Sequence, residues 1–293
     1  ARRLGPPAPR ADPRGRLTGT GARRYGVTAA SGAPFPMIDL HCHLLPGIDD
    51  GAPDLATTLA LARHAVAAGI THAVVTPHIH PGRWDNERSD IERRLGAVRA
   101  ALAEAEIPLV LVAGAEVRIS AEILDRLPAG RLPFLGDHEG EPVLLLELPH
   151  GQVPPGTEKL VRWLRRQGVR PMIAHPERNR GIMRRPALLE PLLAEGCLLQ
   201  LTAGAVAGRF GRSARRCAEG LLEAGVVAVL ASDAHNLKAR PPELAEGRDA
   251  AARIVGAAAA ERLVTEAPWA LVGERFSGAS ADGTSLTVGR HPV

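Results

Sequence analysis

Aromatic side chains are scarce in this sequence: three Trp, one Tyr and four Phe among 293 residues, 3% of the chain. That argues against an aromatic-rich binding surface and leaves a core packed from Ala, Leu and Val in helices and strands. Cysteine is scarce too. Cys42, Cys197 and Cys217 are odd in number and far apart, which excludes a disulfide framework and fits a reducing, cytoplasmic compartment. None of the three is followed by Arg six residues on, so a Cys-x5-Arg phosphatase loop is excluded, and no Gly-x-Ser-x-Gly elbow is present. No apolar run reaches 18 residues and no apolar segment opens the chain, so neither a membrane helix nor a secretory signal is expected. Gly-x-Gly-x-x-Gly does not follow the first strand pattern, which weighs against a dinucleotide-binding sheet.

The formal charge of +4 suggests a polyanion partner until its distribution is read. Residues 1–36 hold seven Arg and one Asp, a net of +6, so the remaining 257 residues sum to −2. Nucleic acid is therefore not an expected partner of the folded part. Residues 1–36, rich in Arg, Gly, Pro and Ala without periodicity, read as a disordered basic leader. Met37 stands where the first strand begins, so the leader is read as an untidy, non-native extension. The alternative is a basic arm for a membrane or polyanion. Residues 37–270 read as one domain and 271–293 as a flexible tail.

From Met37 onward, short apolar runs alternate with helical patterns. Strands are expected at 37–42, 72–76, 108–115, 143–147, 170–174, 197–201 and 226–231, each continuously apolar as in parallel strands buried on both faces. Helices are expected at 54–68, 87–105, 120–127, 156–167, 185–195, 211–224 and 242–264, with Asp54 capping the first. Seven strand–helix units point to an α/β fold, a (β/α)7 barrel rather than an open sheet.

Polar residues follow six of the seven strands: His41, His43 and Asp50; His78; Glu116; Glu147; His175; and Asp233 with His235. In a parallel barrel these ends converge on one face. His41 and His43, two apart on a strand, share a face about 7 Å apart. A lone His or Glu at a strand end is more often structural, but four clustered carboxylates repel unless cations balance them. Mixed His, Asp and Glu donors without thiolate suit Mn²⁺, Fe²⁺ or Zn²⁺, and nine donors exceed the needs of one ion. Three divalent ions against four carboxylates leave the cup near +2. Arg178 and Arg240 add forks for phosphate oxygens, so a phosphomonoester dianion fits. Ions in such a site activate water, orient phosphorus and stabilise the leaving oxygen.

The run Met37-Ile-Asp-Leu-His41-Cys-His43 with Asp50-Gly, Thr-Pro-His78, Gly-Ala-Glu116, Glu147-Leu-Pro, Ala-His175-Pro-Glu-Arg178-Asn, Gly-Arg-Phe-Gly211 and Ser-Asp233-Ala-His235-Asn-Leu…Arg240-Pro-Pro resembles the bacterial tyrosine-protein phosphatases of capsular and exopolysaccharide operons. These belong to the polymerase-and-histidinol-phosphatase (PHP) superfamily, and the likeness spans Met37 to about Trp269. It implies a distorted barrel with a trinuclear, usually Mn²⁺-supported site. By motif, His41, His43, Glu116 and Asp233 would hold one ion. Glu116 would bridge to a second, held by Glu147 and His175, and Asp50, His78 and His235 would hold a third. Arg178, Arg240 and His235 are the implied catalytic groups, with both arginines gripping phosphate. The implied partner is the phosphotyrosine tail of an autophosphorylating tyrosine kinase controlling polysaccharide export, with no stable membrane insertion; homo-oligomerisation is left open. His80 is either substrate-facing or an exposed loop residue. Trp84 either meets the phosphotyrosine ring or anchors its own loop. The Gly-Arg-Phe-Gly and His-Asn-Leu…Arg-Pro-Pro motifs favour this over a histidinol-phosphate-type small-molecule phosphatase. The intact nine-residue set weighs against a non-catalytic metal-binding module.

Overall fold

The computed structural model describes residues 35–276, together with a two-residue antiparallel ladder of Arg10–Ala11 against Leu17–Thr18. The remainder of the expected leader, and residues 277–293 of the expected tail, lie outside the described residues.

Ten strands build the sheet framework: β1 (Met37–Cys42), β2 (Ile70–Val75), β3 (His78–Ile79), β4 (Val110–Ala113), β5 (Glu116–Arg118), β6 (Gly136–His138), β7 (Glu141–Glu147), β8 (Arg170–Ala174), β9 (Leu198–Thr202) and β10 (Val229–Ala231). One parallel sheet runs β1-β2-β4. The other runs β3-β5-β7-β8-β9-β10, with β6 antiparallel on the edge of β7. Each of the expected strands 72–76 and 108–115 is followed, after a break, by a further short strand, β3 or β5, that joins the other sheet. Thr76-Pro77 and Gly114-Ala115 make the breaks. Pro77 has no N–H to give a ladder. At Gly114 a Cβ would lie 2.6 Å from Val74 Cγ1, so only glycine lets the two strands cross there. A parallel bridge between Cys42 and Ala234 closes the ring. Asp39, buried inside it, pins the closure: Ser232 donates its N–H to Asp39 Oδ1 (2.9 Å) and its hydroxyl to Oδ2. The result is a single-domain, distorted seven-stranded parallel barrel.

The long helices form the outer layer: α1 (Leu55–Ala67), α2 (Arg88–Glu104), α3 (Thr157–Arg166), α4 (Arg212–Glu223) and α5 (Ala245–Val255). Asp54 caps α1, accepting from Thr57 N–H at 2.8 Å. Two expectations are corrected. The span 185–195 is a 3-10 turn at Pro186–Leu189 and a short helix at Glu190–Ala194, preceded by a separate short helix at Arg180–Arg184, because Pro186 and Pro191 interrupt the backbone donors. The span 242–264 breaks at Gly256 (φ 84°).

Alternate strand residues divide into two cores. Those facing outward pack against the helices. Those facing inward (Ile38, Leu40, Val74, Val112, Val143, Leu145, Met172, Val229) meet Trp269, Leu271, Val272 and Phe276. These four come from a last helix, α6 (Glu266–Phe276), that closes the bottom of the barrel. Leu271, Val272 and Phe276, expected in a flexible tail, are therefore part of the core. The barrel is plugged with apolar side chains at its N-terminal end, and its polar residues gather at the other. Among the described residues, no helix is long and apolar enough to cross a membrane.

Candidate metal centre

At the C-terminal ends of the strands, donor atoms fall into three overlapping groups, each within 4.8 Å: His41, His43, Glu116 and Asp233; His43, Asp50, His78 and His235; and His78, Glu116 and Glu147. Apart from Asp50, which is exposed, these side chains are buried. The local backbone is bent to bring them together. His175 (φ 32°) and Asp233 (φ 52°) adopt the left-handed conformation immediately after their strands, a cost that concentrates at functional sites.

The imidazoles carry the clearest sign of what the site is for. His41 Nδ1 lies 2.9 Å from Gln200 Oε1, and His43 Nδ1 lies 2.7 Å from Asp49 Oδ2. Both acceptors fix the proton on Nδ1. That leaves the lone pairs of His41 Nε2 and His43 Nε2 facing each other across 3.2 Å, with Glu116 Oε2 and Asp233 Oδ1 at 3.3 to 3.4 Å. Four acceptors aimed at one point repel unless a cation sits among them. Lacking one, they favour protonation. Burial drives the His41 and His43 pKa values down, yet the neighbouring carboxylates override it and hold both above the ordinary value.

Orphaned atoms mark the rest of the cup. His78 Nδ1, Glu116 Oε2, Glu147 Oε2, Asp233 Oδ1 and His235 Nε2 are buried without a hydrogen-bond partner, a costly state for polar atoms unless a ligand satisfies them. Burial, then the charge of Glu116, pushes Glu147 up to about 7. Negative charge is thus in excess at that end, where a cation would relieve it. The donor set fits divalent cations on these grounds.

Of the nine residues expected as ligands, eight enter the three groups. The first group matches its expected four. The group of Asp50, His78 and His235 gains His43. In the group of Glu116 and Glu147, His78 stands where His175 was expected. His175 Nε2 instead faces the other oxygen of Glu116, at 2.6 Å. Burial, then Arg178, lowers the His175 pKa to about 4.

Arg178 and Arg240 converge from above on one atom, Asp233 Oδ2, the latter at 3.4 Å. The Arg178 guanidinium also lies 4.6 Å over the Phe210 ring. His80 enters none of the groups. It pairs with Trp84 through two backbone hydrogen bonds, of 2.9 and 2.8 Å, closing a tight loop. Trp84 itself stacks on His78, centroids 4.8 Å apart and planes within 7°, and Arg83 covers its ring at 4.0 Å. Its ring is engaged by its own loop.

Sequence reasoning passed over several supporting residues. Asp49 accepts from His43 and from the backbone N–H groups of Gly51 and His78. Gln200 orients His41. Arg118 pairs with Glu147 at 3.0 Å. Strand alternation offered the signal: Arg118 is two residues beyond Glu116, and Gln200 is a polar residue inside the apolar run Leu-Leu-Gln-Leu. Cys42 takes no part. Its thiol is buried and reaches toward Val74 O, and burial raises its pKa well above the ordinary range.

Comparison with known proteins agrees with this geometry. The family model described as capsular polysaccharide synthesis, CpsB/CapC, matches residues 37–273. The chain is 40% identical to the tyrosine-protein phosphatase YwqE of Bacillus subtilis over 204 residues, 70% of this chain and 79% of the relative. It is 27% identical to the tyrosine-protein phosphatase CpsB of Streptococcus pneumoniae, over 79% of this chain and 96% of the relative. A crystal structure from the work on YwqE and CpsB, described as unique metal-dependent tyrosine phosphatases, superimposes with TM-score 0.72 at 33% identity, covering 86% of this chain and 97% of that one. Matched by the family model across most of its length and 40% identical to a relative, this chain belongs to the CpsB/CapC family of capsular polysaccharide synthesis proteins.

Proposed function

We propose that the chain is a metal-dependent phosphotyrosine-protein phosphatase. The observation that carries this reading is the pair of opposed Nε2 lone pairs on His41 and His43, closed in by Glu116 and Asp233, directly beneath two arginines. His41, His43, Glu116 and Asp233 would hold one divalent ion; Asp50, His78 and His235 a second; and Glu116, Glu147 and His175 or His78 a third. His, Asp and Glu donors without thiolate admit Mn²⁺, Fe²⁺ or Zn²⁺, of which we propose Mn²⁺. Ions held there supply Lewis acidity toward phosphoryl oxygens and lower the pKa of water.

The protein's own groups do the remaining work. Arg178 and Arg240 already reach one point and present further N–H groups to a phosphate arriving above it, as guanidinium forks do for phosphate oxygens. Phe210 holds the Arg178 fork in place. His235 Nδ1 lies 2.9 Å from the carbonyl of Asp233, which leaves Nε2 facing the cup. A tyrosine leaving group, with a phenol pKa of about 10, departs with less need of a proton than an alkyl alcohol. That agrees with a site that has carboxylates and imidazoles on its floor but no obvious acid above it.

The substrate we propose is phosphotyrosine on an autophosphorylating kinase of polysaccharide export in the cytoplasm. The capsular family model and the relatives named as tyrosine-protein phosphatases support it. Steady-state kinetics of the Mn²⁺-loaded protein on a phosphotyrosine peptide and on histidinol phosphate test the reading. A higher kcat/KM on the peptide is expected, and a higher value on histidinol phosphate overturns it.

A further inference from the structure

The described part of the chain outside 1–36 carries no excess of positive charge, yet one face is crowded with arginine. Between the short helix Arg180–Arg184 and α4, a cavity of about 460 Å³ has Arg180, Arg184, Arg216 and Ser213 on its walls and Met183 and Cys217 among its lining. Its volume falls in the range of about 300–1,000 Å³ usual for ligand sites. Arg180, Arg184 and Arg216 are all exposed, and none forms an ion pair with a carboxylate among the described residues. Arg185 and Arg212, flanking them in sequence, are likewise exposed and without a carboxylate partner among those residues. Some surface arginines are matched, as Arg215 is with Glu219 and Arg162 with Glu195, both at 2.8 Å, and others such as Arg63 and Arg262 are not, but here three unmatched ones share one cavity. Isolated arginines on a surface are usually just solvated. Three around one cavity, with no acid to balance them, leave a local positive field.

The cavity is joined to the centre along both of its walls. Arg178, above the centre, lies two residues before Arg180. Phe210, stacked on Arg178, lies two residues before Arg212 and the start of α4. Both walls of the arginine cavity are thus continuous in the chain with residues above the centre, and a polypeptide extending from a phosphotyrosine between Arg178 and Arg240 along either wall would meet it.

We infer that this cavity is a docking site for an acidic stretch of the substrate polypeptide, its Asp and Glu side chains meeting Arg180, Arg184 and Arg216 while the phosphotyrosine occupies the metal centre. The inference rests on the phosphatase reading and adds a sequence preference to it. Charge complementarity favours the occupant: the wall offers guanidinium donors, and Met183 and Cys217 give an apolar floor for the stems of such side chains.

The test uses the full Mn²⁺-loaded chain at low salt and two phosphotyrosine peptides, one with four Glu flanking the phosphotyrosine and the other with Gln in their place. The expected result is a kcat/KM about tenfold higher on the Glu peptide, expressed in KM and lost on adding salt. In Arg184→Gln/Arg216→Gln the preference falls toward unity, while turnover of a small aryl phosphate is unchanged. Arg184→Lys/Arg216→Lys restores most of it. Equal kcat/KM on the two peptides, or a preference that survives Arg184→Gln/Arg216→Gln, overturns the docking site and leaves the phosphatase reading standing. If neither peptide is turned over, fluorescence anisotropy still separates the two: charge-dependent binding of the Glu peptide, lost in the Gln variant, supports the cavity while the phosphatase reading fails. Binding to anionic phospholipid vesicles in preference to the Glu peptide overturns the proposed occupant.

Discussion

Asp49→Asn tests whether the cup depends on the residues behind the metal donors. Asp49 touches no expected ion position, yet its carboxylate meets His43 Nδ1 at 2.7 Å and the N–H groups of Gly51 and His78, both at 2.9 Å. The substitution keeps the shape and removes the charge. The amide oxygen can take the place of Oδ2, which serves His43 and His78, or of Oδ1, which serves Gly51, but not both, and its NH₂ then faces a donor. A charge-assisted hydrogen bond is worth about 1.5–3 kcal/mol. Loss of such an orienting partner weakens metal sites by about 10–100-fold, which is about 1.4–2.8 kcal/mol. Isothermal titration of the metal-free protein with Mn²⁺, read beside its metal-free melting temperature, measures the effect apart from folding. The expected result is at least about tenfold weaker Mn²⁺ binding, with turnover partly restored at high Mn²⁺. Affinity within twofold of the parent chain would refute the claim that Asp49 holds His43 for metal.

Three further outcomes follow from other parts of the molecule. Trp84→Ala removes the ring stacked on His78 and is expected to weaken Mn²⁺ binding by about tenfold with KM for a phosphotyrosine peptide unchanged; a raised KM with unchanged metal affinity would place Trp84 against the substrate instead. Phe276→Ala opens a hole at the bottom of the barrel and is expected to cost about 3–5 kcal/mol in urea unfolding, where a flexible tail would lose nothing. His72, packed edge-on against Trp269 and Phe276, has its pKa lowered by burial to about 4. The unfolded chain, titrating near 6.5, then binds the proton that the folded form refuses. Stability is intact above pH 6.5 and falls as pH drops from 6.5 to 4, by about 2 kcal/mol after allowing for partial exposure. His72→Phe is expected to flatten that part of the pH–stability curve relative to the parent chain.

Much of the centre was legible in the sequence because each donor sits at the end of an apolar run, and a parallel barrel gathers those ends. Eight of the nine donors fall within the three groups for that reason. Their sharing was less legible. Motif order assigns each His to one ion, whereas His43 and His78 each reach two groups, a fact of three-dimensional spacing. The short strands β3 and β5 were hidden because a few residues beyond an apolar run do not say that the chain goes on to join the other sheet; only Pro77 and Gly114 hinted at the switch. The last helix was missed because its burial comes from plugging the barrel rather than from lying on it. Trp269, Val272 and Phe276 stand at helical spacing, but Pro268 near its start reads as a break, although the first turn of a helix tolerates proline. Asp49 was masked by its neighbour: of two adjacent acids, Asp50 was expected to reach a metal, and Asp49 serves from behind.

The central claim is that one cup holds several divalent ions through shared donors beneath Arg178 and Arg240. Anomalous diffraction at the manganese edge, from crystals grown with Mn²⁺ and phosphate, tests it most directly. The account predicts three ions, one among His41, His43, Glu116 and Asp233, with Glu116 bridging to a second and Asp50 on a third, and phosphate held by both arginines. A single ion, or ions bound away from Glu116, would contradict it.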